Sequence, residues 1–219
     1  MKRTFLVCAF AAAGITPLAA PGQTPAYPTK PVRFIAPFPP GGTSDIIARV
    51  AAQKLTGALG KQVQVDNRGG ASGTIGYELA AKAPPDGYTL LLCSMGGLVT
   101  NQFLFKRLPF DPQKDFAPIS QLATAGQVLV VPMMAEAGVK EWFPQTWWAM
   151  AAPRGVSPAI ITRLNTEIAT AMKSADVQER FASLGLVPLH STPERVTELV
   201  KIGSAQMGKV VKAAGIQPE

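Results

Sequence analysis

Between residues 32 and 94, short apolar runs alternate with stretches of helical period, and that alternation leaves few topologies open. Val32 to Phe38 (VRFIAPF) has strand length. It is followed by Asp45 to Leu59, where Ile47, Val50, Ala51, Leu55 and Leu59 fall on one helical face. The pattern repeats with Val63 to Asn67 (VQVDN), a glycine-rich turn RGGASG, and a helical stretch from Thr74 to Lys82. A third apolar run, Tyr88 to Ser94 (YTLLLCS), comes after the turn APPDG. Parallel neighbours need a connection long enough for a helix, and such crossovers are right-handed. The expected fold class is therefore α/β, with a parallel-rich sheet flanked by helices.

In such a sheet every strand-to-helix loop leaves at the same carboxyl edge. PFPPGGTSD (37–45), NRGGASGTIG (67–76) and CSMGG (93–97) are thus expected side by side on one rim. Gly41 and Gly42 can take backbone angles closed to other residues, and Thr43, Ser44 or Asp45 can cap the helix that begins there. Amides at a helix start carry partial positive charge and point outward, so a carboxylate or phosphate fits without any arginine. Asp45 reads as a capping residue and not as an anion contact, because two negative groups repel. The first loop lacks the Gly-Lys-Ser/Thr end of a nucleotide loop, and Gly69, Gly70, Gly73 and Gly76 lack the G-x-G-x-x-G spacing of a dinucleotide site. Either turn alone reads as a tight connection. Two on one rim read as a binding edge.

The remaining composition narrows the function classes. Residues 1–22 combine Lys2 and Arg3, a short apolar stretch and a small-residue finish, the pattern of a secretory leader and not of a membrane span. Ala26 offers a second cleavage position. Without those two cations the chain is less basic than its formal +7, and its lysines and arginines are scattered, so nucleic acid is not an expected partner. Cys93 is alone outside the leader and lies in an apolar run, as a buried small hydrophobe would. His190 is the single histidine, so no zinc site, metal or other cofactor is expected, and no nucleophile is paired with a base. An enzyme is not the expected reading. Trp142, Trp147 and Trp148 read as packing residues.

The residues from Tyr27 to Ala125, above all PFPPGGTSD and NRGGASGTIG, resemble the substrate-binding proteins of tripartite tricarboxylate transporters, the TctC or Bug family. The likeness continues through FDPQKDFAPISQLAT, MAEAG, TWWAMAA and APRGVSPAIITRLNTEI. It implies a periplasmic, non-enzymatic receptor with the type II periplasmic-binding-protein fold. Such a receptor captures a small organic anion, a tricarboxylate, dicarboxylate or similar acid, between two α/β lobes and presents it to membrane subunits of the transporter. Carried over by motif, the ligand-binding candidates are Gly41, Gly42, Thr43 and Ser44 from the first loop, Ser72 and Gly73 from the second, and Ser94 from the third. Asp45 belongs to the same motif as a loop-shaping residue.

One departure is large. After the strand-like QVLVVP (127–132), the family pattern implies a crossing into a second lobe, but here only the thirteen residues 133–145 intervene before the tryptophan-containing strand. An independent domain needs roughly 50 residues. The expected organisation is a leader (1–22), a first part of lobe 1 (23–132), a short bridge replacing most of lobe 2 (133–145), and a C-terminal part of lobe 1 (146–219). Essentially one lobe of the usual two remains, and ligand capture is expected to be impaired. The alternative is a vestigial or interaction protein without ligand capture. In the C-terminal part, Ser157-Pro158 and Thr192-Pro193 read as helix starts. Ile161, Leu164, Ile168 and Met172 form one apolar stripe, and Val196, Leu199, Val200, Met207, Val210 and Val211 form another, ended by Gly215. Ser183 to Gly185 close a helix between them, and LVPLH supplies a strand.

Overall fold

A computed structural model describes residues 27–126 and 145–218. The leader, the expected strand at 127–132, Trp142 and nearly all of the bridge lie outside the described residues. The first half forms as its periodicity predicts: β1 (Val32–Ala36), α1 (Thr43–Leu59), β2 (Val63–Asn67), α2 (Thr74–Ala81) and β3 (Thr89–Ser94). A π-helical turn (Gly96–Thr100) and α3 (Asn101–Leu104) lead back toward β4 (Phe116–Gly126). The chain then continues with β5 (Gln145–Pro153), α4 (Pro158–Lys173), α5 (Ala175–Ala182), β6 (Leu186–Pro188) and α6 (Pro193–Ala213).

All six strands join one sheet in the order β2-β1-β3-β5-β4-β6. Its parallel part is confined to β2, β1 and β3, while β5, β4 and β6 add antiparallel ladders. The parallel-rich expectation thus describes one half of the sheet. In the other half, β4 and β5 pair along their length from Phe116 opposite Pro153 to Gly126 opposite Gln145, and β6 lies antiparallel on the outer side of β4.

Both faces are covered, which is why β3 is buried throughout its length and apolar from Leu90 to Cys93. On one face Phe34, Ala36, Leu90 and Leu92 pack with Ile47 and Leu55 of α1, Ile168 of α4 and Phe181 of α5. On the other, Ile35, Leu91 and Cys93 pack with Tyr77 of α2 and Val196 and Val200 of α6. Successive strand residues point to opposite faces, so each short run supplies both cores.

The predicted helix starts at Ser157 and Thr192 are real caps: their hydroxyls accept from the Ile160 and Arg195 amides at 3.4 and 3.3 Å. α1 differs. Gly42 is its N-cap and no side chain caps it, because Asp45 is engaged in reaching back beyond the helix start. In α6, Val196, Val200 and Ser204 are buried whereas Val210 is 53% exposed, so the apolar stripe runs on past the sheet it packs against. No described helix is long and apolar enough to cross a membrane.

Two glycines separate packing from propensity. A Cβ on Gly97 would lie 2.1 Å from the fully buried Tyr77 ring, whereas one on Gly57, inside α1, meets nothing within 4 Å. Gly97→Ala is expected to cost about 1–3 kcal/mol in urea unfolding, and Gly57→Ala to gain about 0.5–1 kcal/mol.

Candidate functional site

Because β2, β1 and β3 are adjacent and parallel, their ends at Asn67, Ala36 and Ser94 open onto one edge. The loop after β1 reaches α1 through Gly41, whose φ of +89° is a left-handed conformation. Gly42 has φ −83° and ψ 172°, which any residue adopts, so only one of the paired glycines answers a backbone demand. A Cβ on either would meet nothing within 4 Å, which leaves the main chain open to the outside. The amides of Thr43, Ser44 and Asp45 precede the first intrahelical bond, Ile46 N–H to Gly42 O, and have no partner among the described residues. Thr43 is exposed and Ser44 half-buried.

Asp45 organises this loop from beneath. One carboxylate oxygen accepts from the Gly41 amide and from Arg49 Nε, each at 2.9 Å, and the other from Asn67 Nδ2 at 2.9 Å. Asn67 Nδ2 also donates to the Phe38 carbonyl at 3.1 Å, and Arg49 to Asn67 Oδ1 at 3.2 Å. The first loop is thereby tied to the end of β2. Burial opposes ionisation of Asp45, but the bonds from Arg49, Gly41 and Asn67 outweigh it and hold the carboxyl below its ordinary range. Asp45 thus ties the loop to the helix and to β2. The Gly41 amide is taken by it, so of the open donors at this start none comes from Gly41.

The second loop carries four consecutive residues at positive φ: Gly70 (+119°), Ala71 (+46°), Ser72 (+54°) and Gly73 (+88°). For Ala71 and Ser72 this costs about 1–2 kcal/mol each. The Gly73 amide closes the turn on Gly70 O at 2.9 Å, and Asn101 Nδ2 holds the Ser72 carbonyl at 3.1 Å. The Ser72 residue is exposed, while Gly73 is buried against the first loop. A Cβ on Gly76 would stand 2.7 Å from Pro37 Cβ and 2.9 Å from Arg68 O, so the two loops touch. Three of the predicted clusters, residues 41–45, 72–73 and 94, therefore share one edge.

Ser94 is placed there but turned inward. Its hydroxyl accepts from the Gly97 amide at 3.3 Å and lies 3.5 Å from the Tyr77 hydroxyl, to which the Ser94 amide donates at 2.8 Å. Ser94 pins the π-helical turn. Ser44 faces the opposite way: its Oγ accepts from Trp148 Nε1 at 2.9 Å.

Sequence reasoning did not single out Arg49, Asn67, Tyr77, Asn101 or the polar role of Trp148. The four-residue spacing of Asp45 and Arg49 was a readable signal, as was an asparagine closing β2 just before a glycine-rich turn. Tyr77 and Asn101 carried none. Cys93 is buried, its thiol donating to the Ala149 carbonyl at 3.2 Å, and burial pushes its pKa up to about 12. His190 is exposed, and among the described residues no group of His, Cys, Asp and Glu could hold a metal ion. Among the described residues, cavities of about 450 and 160 Å³ lie around residues 102–114 and beneath α6, away from the loops.

Comparison with known proteins bears on what such an edge serves. The family model described as the tripartite tricarboxylate transporter family receptor (TctC) matches residues 47–134. A UPF0065 protein from the tcbD-tcbE intergenic region of a Pseudomonas species is 48% identical over 107 residues, which cover 49% of this chain and 32% of that relative. BugT of Bordetella pertussis is 27% identical in an alignment 304 residues long, covering 90% of this chain and 93% of BugT.

The chain is similar to the TctC/Bug receptors.

Members of that family are receptors. The periplasmic binding protein BugD superimposes with a TM-score of 0.79 at 22% identity, over 88% of this chain and all of BugD. An R. palustris protein solved with adipate gives 0.77 at 23%, over 88% of this chain and 100% of the other. At such identities the likeness is one of fold. The present chain spans about a third of its 48%-identical relative, and at 219 residues is much shorter than the alignment with BugT.

The Asp45 cluster predicts an acid-sensitive fold. A carboxyl whose folded pKa lies below its unfolded one stabilises above the ordinary value of about 4, and that stability is lost as pH falls through the folded value. Asp45→Asn is expected to cost about 1–3 kcal/mol at pH 7 and to flatten the fall in melting temperature below about pH 4. Parallel melting curves of both proteins from pH 7 to pH 2.5 would check this.

Proposed function

We propose that this protein is a one-lobed receptor that meets a small organic carboxylate on the edge formed by its first two glycine-rich loops. In this reading the donors are the open amides of Thr43 and Ser44 and the Ser44 hydroxyl, with Gly42 giving the ligand room to approach the main chain. Ser72 and Gly73 form the adjoining wall, and Gly41, Asp45 and Ser94 shape the edge without meeting the ligand. The observation that carries the reading is the unobstructed start of the 17-residue α1, whose amides have no partner among the described residues. The adipate in a neighbour of the same fold agrees with a carboxylate in kind.

The organisation proposed for the whole chain is a leader at 1–22, lobe 1 from 23–132 and 146–219, and a bridge at 133–145 in place of lobe 2. The leader would deliver it to the periplasm, where membrane subunits of a tripartite tricarboxylate transporter would be its partners. A ligand held against one wall keeps much of its hydration and loses the contacts of an opposing wall. Capture is accordingly weak.

Titration calorimetry with malate, adipate and citrate is expected to give dissociation constants no tighter than about 0.1 mM. Sub-micromolar binding by the monomer would overturn the one-walled reading, and no binding of any of the three would favour the vestigial alternative. Gly42→Val tests the location: its backbone angles suit valine and its Cβ meets nothing, so the protein folds, but the side chain covers the amides and is expected to abolish binding.

A further inference from the structure

Trp148 is a half-buried residue of β5 that packs against the core shared with α1, and its indole crosses to the first turn of that helix. Indole Nε1–H is a donor only, and a serine hydroxyl has one proton and two acceptor sites. The 2.9 Å contact therefore fixes the roles: Trp148 donates and Ser44 Oγ accepts. Ser44 donates to nothing among the described residues, so its single proton is left for an incoming acceptor. From this we infer that Trp148 is a positioning residue for the anion edge, holding the Ser44 hydroxyl in the orientation that gives its proton to a ligand oxygen.

The inference rests on the carboxylate reading above and adds to it a residue from the far side of the chain. Its geometry is held from two sides. Trp148 pairs with Ser94 of β3 and with Ala123 of β4, and the β4 register shift between Gln121 and Ala123 falls opposite Ala149 and Trp148. Irregularities of that kind re-aim side chains. Neighbouring Trp147 lies buried in the opposite core and makes no such contact among the described residues. An unsupported Ser44 hydroxyl would instead rotate among its staggered positions, and the ligand would have to order it on binding.

The test is an NMR titration of the full chain with malate, alongside Trp148→Phe, Ser44→Ala, Ser44→Thr and the Trp148→Phe/Ser44→Ala double variant. Each single removal is expected to weaken malate binding about fivefold to tenfold. The double variant should be no weaker than Ser44→Ala alone, because the tryptophan acts through the serine. Ser44→Thr keeps the hydroxyl and is expected to keep the affinity. A Trp148→Phe protein that binds as the wild type does, or losses that multiply in the double variant, would overturn the positioning role while leaving the carboxylate reading intact. A wild-type chain that binds neither malate nor, titrated in the same way, adipate or citrate removes both. Should Trp148→Phe fail to fold, the indole N–H resonance decides: it should move upfield in Ser44→Ala, and an unmoved resonance overturns the inference.

Discussion

The carboxylate of Asp45 sits where the chain can least tolerate an unpaired charge, and the shape of the edge follows from how that charge is met. Taken out of water alone, such a group costs several kcal/mol. Here it receives the Gly41 amide from its own loop, Arg49 from the next turn of α1 and Asn67 from the neighbouring strand. Each donor belongs to a different part of the edge, so satisfying one buried anion fixes the loop, the helix and the end of β2 together. Arg49 is itself half exposed, and its ion pair alone would be worth little. The amide and carboxamide bonds give the cluster its direction.

A second constraint is steric. Gly73 and Gly76 let the second loop lie directly on Pro37 and Phe38, and Gly97 lets the third turn pack on Tyr77. The three loops are therefore mutually supporting, and the left-handed Ser72 is held in place by Asn101, outside its own turn. Backbone strain of this kind persists only where the surroundings over-determine it.

Much of this was legible in the sequence. Strand runs of five or six residues and the stripe on α1 are local signals, and they place β1, β2, β3, α1 and α2 nearly residue for residue. That the three loops share an edge followed from the parallel direction of β1, β2 and β3, which sends every strand-to-helix loop out at the same end. The antiparallel half was not legible, because the order in which β5, β4 and β6 stack is a matter of pairing between distant segments. Nor could local pattern decide which polar side chains face out. Ser44 and Ser94 look alike beside their glycines, yet one is aimed by Trp148 and the other closes on a turn. Asp45 shapes the loop instead of capping α1, and its partner Asn67 lies 22 positions away. Val210 continues the α6 stripe on paper and is exposed only because the surface that the stripe covers has already ended.

The adjacent tryptophans of β5 give the register of that strand an importance beyond its pairing. Since Trp147 and Trp148 point to opposite faces, inserting or deleting a single residue that slid β5 by one position against its neighbours would exchange the two indoles. The helix start would lose its polar contact at once, although the sheet would keep the same number of strands. A one-residue shift of β5 against its neighbours is therefore far more disruptive to the helix start than a two-residue shift, which keeps each indole on its own face. Whatever length of chain joins these strands in a relative, it is the face on which each indole sits that the contact to α1 depends on.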